Sequence, residues 1–148
     1  MHIKYNDNRT AEITMTDYLT EAIEESGMNI SKSSPTPATK KLFDVDKLSP
    51  LLSRAEGEVF HSVAAKLLYV AVRARMDLLL AVIFLCTRVS KCTVEDKAKL
   101  RRLLEYIKGS LHLIYTVGGD DLGKIRSWVD ASYAVHPDSR VTPEGSCP

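Results

Sequence analysis

The sequence predicts an α+β fold, in which a mainly helical core follows an N-terminal β-hairpin and precedes an incomplete pair of C-terminal strands. Three observations predict it. Residues 57–110 hold the densest apolar surface at helical spacing, short β-prone runs lie near both termini, and prolines interrupt residues 29–56. A chain of 148 residues, 45% hydrophobic and 26% charged, suits one compact globular domain or pieces of two.

Residues 1–28 predict a β-hairpin followed by one helix. The runs 2–5 and 11–15 are β-prone, and the Asn and Asp residues between them favour a turn. Thr16 is predicted to cap a helix that continues to about Ser26 and is terminated by Gly27. Its apolar face comprises Tyr18, Leu19, Ala22 and Ile23.

Residues 29–56 predict an extended connector rich in proline and serine. Three prolines exclude a continuous helix here: Pro35, Pro37 and Pro50. We expect the connector to place its few apolar side chains against the core, namely Leu42, Phe43 and Val45.

Residues 57–110 predict three helices. The first carries apolar side chains at three- and four-residue spacing: Phe60, Val63, Ala64, Leu67, Leu68, Ala71 and Val72. The second, residues 78–89, is apolar nearly all round, which predicts a central helix between other elements. The third has Thr93 as a predicted N-cap and Gly109 as its stop, with a buried stripe of Leu100, Leu103, Leu104 and Ile107.

Positive charge is concentrated in the same helical segment. Residues 57–110 carry ten Lys and Arg against five acids, whereas the segments on either side are each net −2 and the chain total is +1. A basic helical surface can bind a phosphate backbone, but Lys and Arg also simply solvate helix faces. Charge alone favours the second interpretation.

The sequence contains no signature of a membrane span or of a cofactor site. No apolar run approaches the roughly 20 residues of a bilayer span, and the N-terminus is unlike a signal peptide, which predicts an intracellular protein of the cytoplasm or nucleus. The cysteines Cys86, Cys92 and Cys147 are predicted to be free thiols. The four histidines show no metal-ligand spacing, so we expect no cofactor for this chain.

The C-terminal segment predicts two strands around a turn. Residues 111–117 and 125–129 are β-prone, and glycine and aspartate between them favour a turn. The tripeptide Gly119-Asp120-Asp121 is similar to the Gly-Asp-Asp hairpin of RNA-dependent polymerases, but glycine and aspartate are common turn residues, and we interpret it as a plain turn.

Several segments, in order, resemble the Pol polyprotein of copia-type LTR retrotransposons. They are Phe60–Tyr69, Arg73–Asp77, Phe84–Ser90, Leu103–Gly109 and Trp128–Tyr133, preceded by Met1–Tyr5 and Ile13–Leu19. The resemblance implies that residues 1–28 are the hairpin and helix that follow the polymerase palm. It implies that residues 57–110 are the thumb and connection of reverse transcriptase, and that residues 111–148 are the truncated start of ribonuclease H.

The sequence also departs from the family pattern. The Tyr-x-Asp-Asp turn of the polymerase would lie upstream of Met1, and Met76 stands where the family usually has proline before Asp77. After Arg140 the family's Ser-His-Thr-Gly-Gly-like continuation is replaced by Val141–Gly145. Two-metal nucleotidyl transfer needs at least two carboxylates on a rigid palm, so we expect this chain alone to be inactive.

The resemblance implies roles for particular residues. Asp130 matches the first carboxylate of ribonuclease H, which holds Mg²⁺ only in a complete parent domain; in this chain alone, an exposed strand-end aspartate is the favoured interpretation. The basic residues of the third helix would contact an RNA:DNA hybrid weakly and without reading sequence. They are Lys97, Arg101, Arg102 and Lys108.

The sequence therefore supports two hypotheses. The first is a fragment of a retrotransposon reverse transcriptase and ribonuclease H polyprotein that contacts the template-primer. The second is a small helical interaction or structural protein without a nucleic-acid role, which associates with a partner through exposed apolar surface.

Overall fold

The predicted N-terminal hairpin is present in the computed structural model, which describes residues 1–118. Strand β1 (His2–Tyr5) pairs antiparallel with β2 (Thr10–Thr14). In the turn between them the Asn6 backbone N–H donates to the Thr10 carbonyl at 2.9 Å, and Arg9 adopts a positive φ of 63°. The local polar residues therefore close the hairpin as their composition indicates.

A third strand, β3 (Tyr115–Gly118), pairs antiparallel with β2 and gives the sheet order β1-β2-β3. The α+β fold class with its N-terminal hairpin and C-terminal strand is thus confirmed. The predicted strand at 111–117 begins four residues late, and its partner is the N-terminal hairpin. The second predicted strand, 125–129, lies outside the described residues.

The sheet is amphipathic. One face carries apolar and aromatic residues at alternate positions of all three strands: Ile3, Tyr5, Ala11, Ile13, Tyr115 and Val117. The opposite face is polar and includes the Lys4–Glu12 pair, with 3.9 Å between Nζ and Oε2. Ile13 packs against the helical core, but Tyr5 is 81% exposed. Residues 1–118 therefore cover this apolar face only in part.

Helix α1 (Thr16–Glu25) follows β2 directly, and the prediction that Thr16 caps it is wrong. Met15 occupies the N-cap position without a side-chain cap bond, because it is buried in the core and the strand runs straight into the helix. Thr16 is the first helical residue, and its hydroxyl donates to the Leu111 carbonyl at 3.5 Å. At the other end Gly27 has a positive φ of 62°, as expected for a terminator.

Helix α2 (Arg54–Ala71) begins three residues before the predicted helical segment. Ser53 and Glu56 form a capping box, in which the Ser53 backbone N–H donates to Glu56 Oε2 at 3.2 Å and the Glu56 N–H donates to Ser53 Oγ at 3.4 Å. The last residues of the predicted 29–56 connector are consequently helical.

Helix α3 (Leu79–Arg88) follows a 3₁₀ turn at Met76–Leu78, and the prediction that it is the central helix is wrong. Its Leu80 is 63% exposed and its Ile83 is 49% exposed. The central helix is α2, whose contacts with α3 and α1 are the most extensive between helices and which also contacts α4. Apolar residues all round a helix do not ensure that every side is buried, because burial also requires other elements to pack against each side.

Helix α4 (Val94–Gly109) matches the prediction most closely. Thr93 caps it through a capping box with Asp96, and the stripe of Leu100, Leu103, Leu104 and Ile107 is fully buried. The helix ends at Gly109, where an added Cβ would lie 2.8 Å from the Ser33 Cβ. Glycine is therefore required here by the close approach of the connector.

The connector packs on the core as predicted. Leu42 is buried, Val45 is partly buried against the core, and the Phe43 ring meets the Phe84 ring edge to face at 5.7 Å between centroids. A backbone bridge between Leu51 and Thr93 fixes its C-terminal end to the start of α4. Within residues 1–118, no helix has both the length and the apolar character needed to cross a bilayer.

Candidate nucleic-acid interface

Two of the four predicted nucleic-acid contacts hold the start of the connector. Arg101 Nη1 donates to the Asn29 carbonyl at 3.1 Å, and Lys108 Nζ donates to the Ile30 carbonyl. Because an irregular segment cannot satisfy its own carbonyls, an adjacent helix must supply donors to them. The basic face of α4 supplies these donors, and both side chains remain exposed.

Arg102 is the most enclosed of the four. Its Nη2 donates to Thr36 Oγ1 at 2.9 Å, and its Nε is buried without a hydrogen-bond partner among residues 1–118. Because the hydrogen bond of its guanidinium within residues 1–118 goes to Thr36, the connector positions Arg102.

Lys97 lies at the opposite end of the α4 face and pairs with a carboxylate. Its Nζ is 2.6 Å from Glu56 Oε1, so α4 is joined to the first turn of α2. The hydrogen bonds from Lys97 and Ser53 lower the pKa of Glu56 from 4.5 to about 2. The charge of Lys97 is thus largely compensated within the protein.

Lys99, which the spacing places on a solvated face, has internal partners. Its Nζ donates to the Asp44 carbonyl, lies 3.2 Å from Glu95 Oε1 and stands 4.8 Å from the centroid of the Phe84 ring. Its side chain is only 14% exposed. Lys99 is therefore not a solvated residue, because the connector covers this side of α4.

The type of acceptor separates the four predicted residues electrostatically. Arg101, Arg102 and Lys108 donate to neutral oxygens, whereas Lys97 donates to a carboxylate. A carbonyl or hydroxyl acceptor does not cancel the positive charge of its donor. Arg101 and Lys108 consequently form an exposed positive surface, which we call the α4 basic surface.

Other cations of the basic middle segment serve the fold. Arg75 is 4% exposed, binds Asp77 through two hydrogen bonds of 2.9 and 2.8 Å, and donates to the Ser110 carbonyl and hydroxyl. Lys66 bridges α2 to α1 through Glu21 and Glu25, and these hydrogen bonds raise its pKa. The net charge of residues 57–110 therefore overstates what a phosphate backbone could contact.

The predicted carboxylate sites fall elsewhere in the chain. Asp130 and Gly119-Asp120-Asp121 lie outside the described residues. Among residues 1–118, no group of three or more His, Cys, Asp and Glu side chains is arranged to hold a metal ion. Cys86 and Cys92 are free thiols as predicted, and burial raises the pKa of both. Cys147 also lies outside the described part.

Comparisons with protein-family models, with curated proteins and with solved structures found no match for this chain.

Proposed function

We propose that this chain is the template-primer-contacting portion of a retrotransposon reverse transcriptase and ribonuclease H polyprotein, corresponding to its thumb and connection. In this proposal the α4 basic surface contacts the phosphate backbone of an RNA:DNA hybrid and performs no chemistry. One observation carries it: Arg101 and Lys108 are exposed and, within residues 1–118, donate only to backbone carbonyls, so their charges stay available to phosphates.

The spacing of these two residues supports one continuous contact. They are seven residues apart, which places them about 10 Å apart along one side of α4. The buried stripe of α4 lies on an adjacent side of the helix, about a quarter turn away, and anchors the helix in the core. The connector carbonyls hold the terminal nitrogens of both side chains, which reduces the side-chain entropy that remains to be lost on binding.

Binding of this kind is weak and indifferent to sequence. Phosphate contacts fix register without reading bases, and their strength comes from released counterions. Neither primer extension nor RNA cleavage is proposed for the isolated chain. Asp130, by its resemblance, belongs to a Mg²⁺ site that only a complete ribonuclease H domain would form.

Glutamine substitutions test the proposal without dismantling the connector. Arg101→Gln with Lys108→Gln removes both charges and leaves at each position a shorter polar side chain with an N–H donor. We expect this variant to bind a labelled RNA:DNA hybrid at least about tenfold more weakly at 0.1 M salt. The fluorescence anisotropy of two hybrids of unrelated sequence measures this loss, and both should weaken equally.

The control is Lys40→Gln with Lys41→Gln, which removes two exposed connector charges that are not part of the α4 basic surface. Equal affinity of the wild-type chain and the Arg101/Lys108 variant would refute the proposal. So would an equal loss in the control, because that would show attraction to net charge alone.

A specific observation favours the second hypothesis, an interaction protein. The apolar sheet face and the outer side of α3 expose large side chains, including Tyr5, Leu80 and Ile83. If a second copy of the chain covers them, sedimentation should show association that rises with concentration and is abolished by Leu80→Lys with Ile83→Lys. A monomer at all concentrations would remove self-association from consideration.

A further inference from the structure

A second basic surface lies at the other end of the connector. Connector residues 45–53, the first turns of α2, and residues 87–93 at the end of α3 and in its link to α4 line two adjoining open hollows of about 660 and 300 Å³. The hollows share Leu51, Ser90 and Lys91, so they form one open groove. We call it the connector groove.

The middle of the groove is held by backbone hydrogen bonds. The Leu52 N–H donates to the Cys92 carbonyl at 3.0 Å, and the Val94 N–H donates to the Pro50 carbonyl at 3.0 Å. These bonds flank the Leu51–Thr93 bridge. The surface between the two hollows is consequently preorganised, which reduces the entropy lost on binding.

The lining of the groove is positively charged. It contains four cations (Lys47, Arg54, Arg88 and Lys91) against two carboxylates (Asp46 and Glu58). Arg54 pairs with Glu58 at 3.1 Å, and Arg88 lies 3.3 Å from Asp96. Among residues 1–118, the lining charges without an ion-pair partner are those of the two lysines and of Asp46, which leaves a net of +1.

Donors without protein partners converge on this groove. Within residues 1–118, Lys47 and Lys91 form no ion pair, and the Ser90 hydroxyl and His61 ring form no hydrogen bond. Leu51 stands between the hollows and is 68% exposed. Ammonium and hydroxyl donors beside an apolar ridge suit a chain of phosphates whose bases lie against the ridge.

We infer that the connector groove binds a single-stranded stretch of nucleic acid, with Lys47 and Lys91 contacting successive parts of its backbone. The groove is concave, so it admits a single strand more readily than the outer surface of a duplex. The inference rests on the proposed nucleic-acid function and adds a second contact region. The α4 basic surface contacts the hybrid, and the connector groove contacts the unpaired strand next to it.

The test uses the full chain and a labelled oligothymidylate of about 12 nucleotides. Lys47→Gln with Lys91→Gln should weaken its binding about 25-fold at 0.1 M salt, because a slope of about 0.7 per single-strand contact corresponds to about fivefold each. The matched control is again Lys40→Gln with Lys41→Gln. All four lysines are exposed, so none of these changes should alter the urea midpoint.

The outcomes distinguish this inference from the proposed function. If the groove variant and its control lose the same affinity for the oligothymidylate, the proposed single-strand site is refuted. The proposed function is tested separately, by the affinity of the Arg101/Lys108 variant for the hybrid. If the groove variant weakens the hybrid as much as the single strand, the single-strand assignment is overturned. If an acidic polypeptide displaces the oligothymidylate as well as a second oligonucleotide does, the groove is a general polyanion site and the inference fails.

Discussion

Replacing Arg75 by methionine should destabilise the fold far more than the same change at Arg73. Arg75 is 4% exposed and donates to Asp77 and to Ser110, and thereby ties the start of α3 to the end of α4. Arg73 is exposed, and its guanidinium lies 3.7 Å from the centroid of the Tyr69 ring. The two arginines are two residues apart, so they form a matched pair.

The magnitude follows from the groups that lose a partner. Removing one member of a buried ion pair costs about 3–5 kcal/mol, because the other charge stays unpaired. The Asp77 side chain is 35% exposed, and water therefore relieves part of the loss. The Ser110 carbonyl also loses the bond from Arg75. We expect a cost of about 3 kcal/mol for Arg75→Met and about 1 kcal/mol or less for Arg73→Met.

Urea denaturation, monitored by circular dichroism, measures the loss of stability in both variants. The comparison requires that the slope of the unfolding free energy against urea concentration is the same in each. Asp77→Asn in the Arg75→Met background should recover part of the loss, because it removes the unpaired charge. Equal midpoints for the two methionine variants would refute the assignment of Arg75 to a buried structural pair.

Three further changes test the packing and the capping. Leu104→Ala should cost about 2–5 kcal/mol in urea denaturation, whereas Leu80→Ala on the exposed side of α3 should cost within about 0.5, and equal costs would contradict the helix phases. Gly109→Ala should destabilise the fold by about 1–3 kcal/mol, because the added Cβ would meet the Ser33 Cβ. Adding Ser33→Gly to that variant should restore stability. A stabilising Gly109→Ala would disprove the contact. Since the folded pKa of Glu56 is lowered, its contribution is present above pH 4.5 and disappears towards pH 2, so Glu56→Gln should flatten the stability profile across that range. An unchanged profile in that variant would rule out the hydrogen bonds from Lys97 and Ser53 as its source.

Local signals predicted α4 well. Its cap, its apolar stripe and its terminal residue all lie within one continuous stretch, so no distant contact is needed to place them. A similar signal also marks the start of α2, where Ser53-Arg54-Ala55-Glu56 has the spacing of a capping box. This motif marks the start of α2 in the sequence.

The sequence does not predict contacts between residues that are far apart along the chain. An exposed lysine and a lysine that donates to a connector carbonyl have the same spacing in the sequence, and only the path of residues 29–52 distinguishes them. Lys99 and Arg101 both donate to connector carbonyls, and their spacing along the helix does not indicate these contacts. The pairing of β3 with β2 joins segments about 100 residues apart, which local β-propensity cannot indicate.

The salt dependence of RNA:DNA hybrid binding tests the central claim most directly, namely that Arg101 and Lys108 hold the connector while keeping their charges available to phosphates. We predict that Arg101→Gln with Lys108→Gln lowers the slope of log affinity against log salt by about 1.4 to 1.8 relative to the wild-type chain. The urea midpoint should stay close to wild type, because substitutions of exposed side chains usually change stability by no more than about 0.5 kcal/mol. An unchanged slope with an unchanged midpoint would contradict the claim and would mean that these charges serve only to dock the connector and solvate α4.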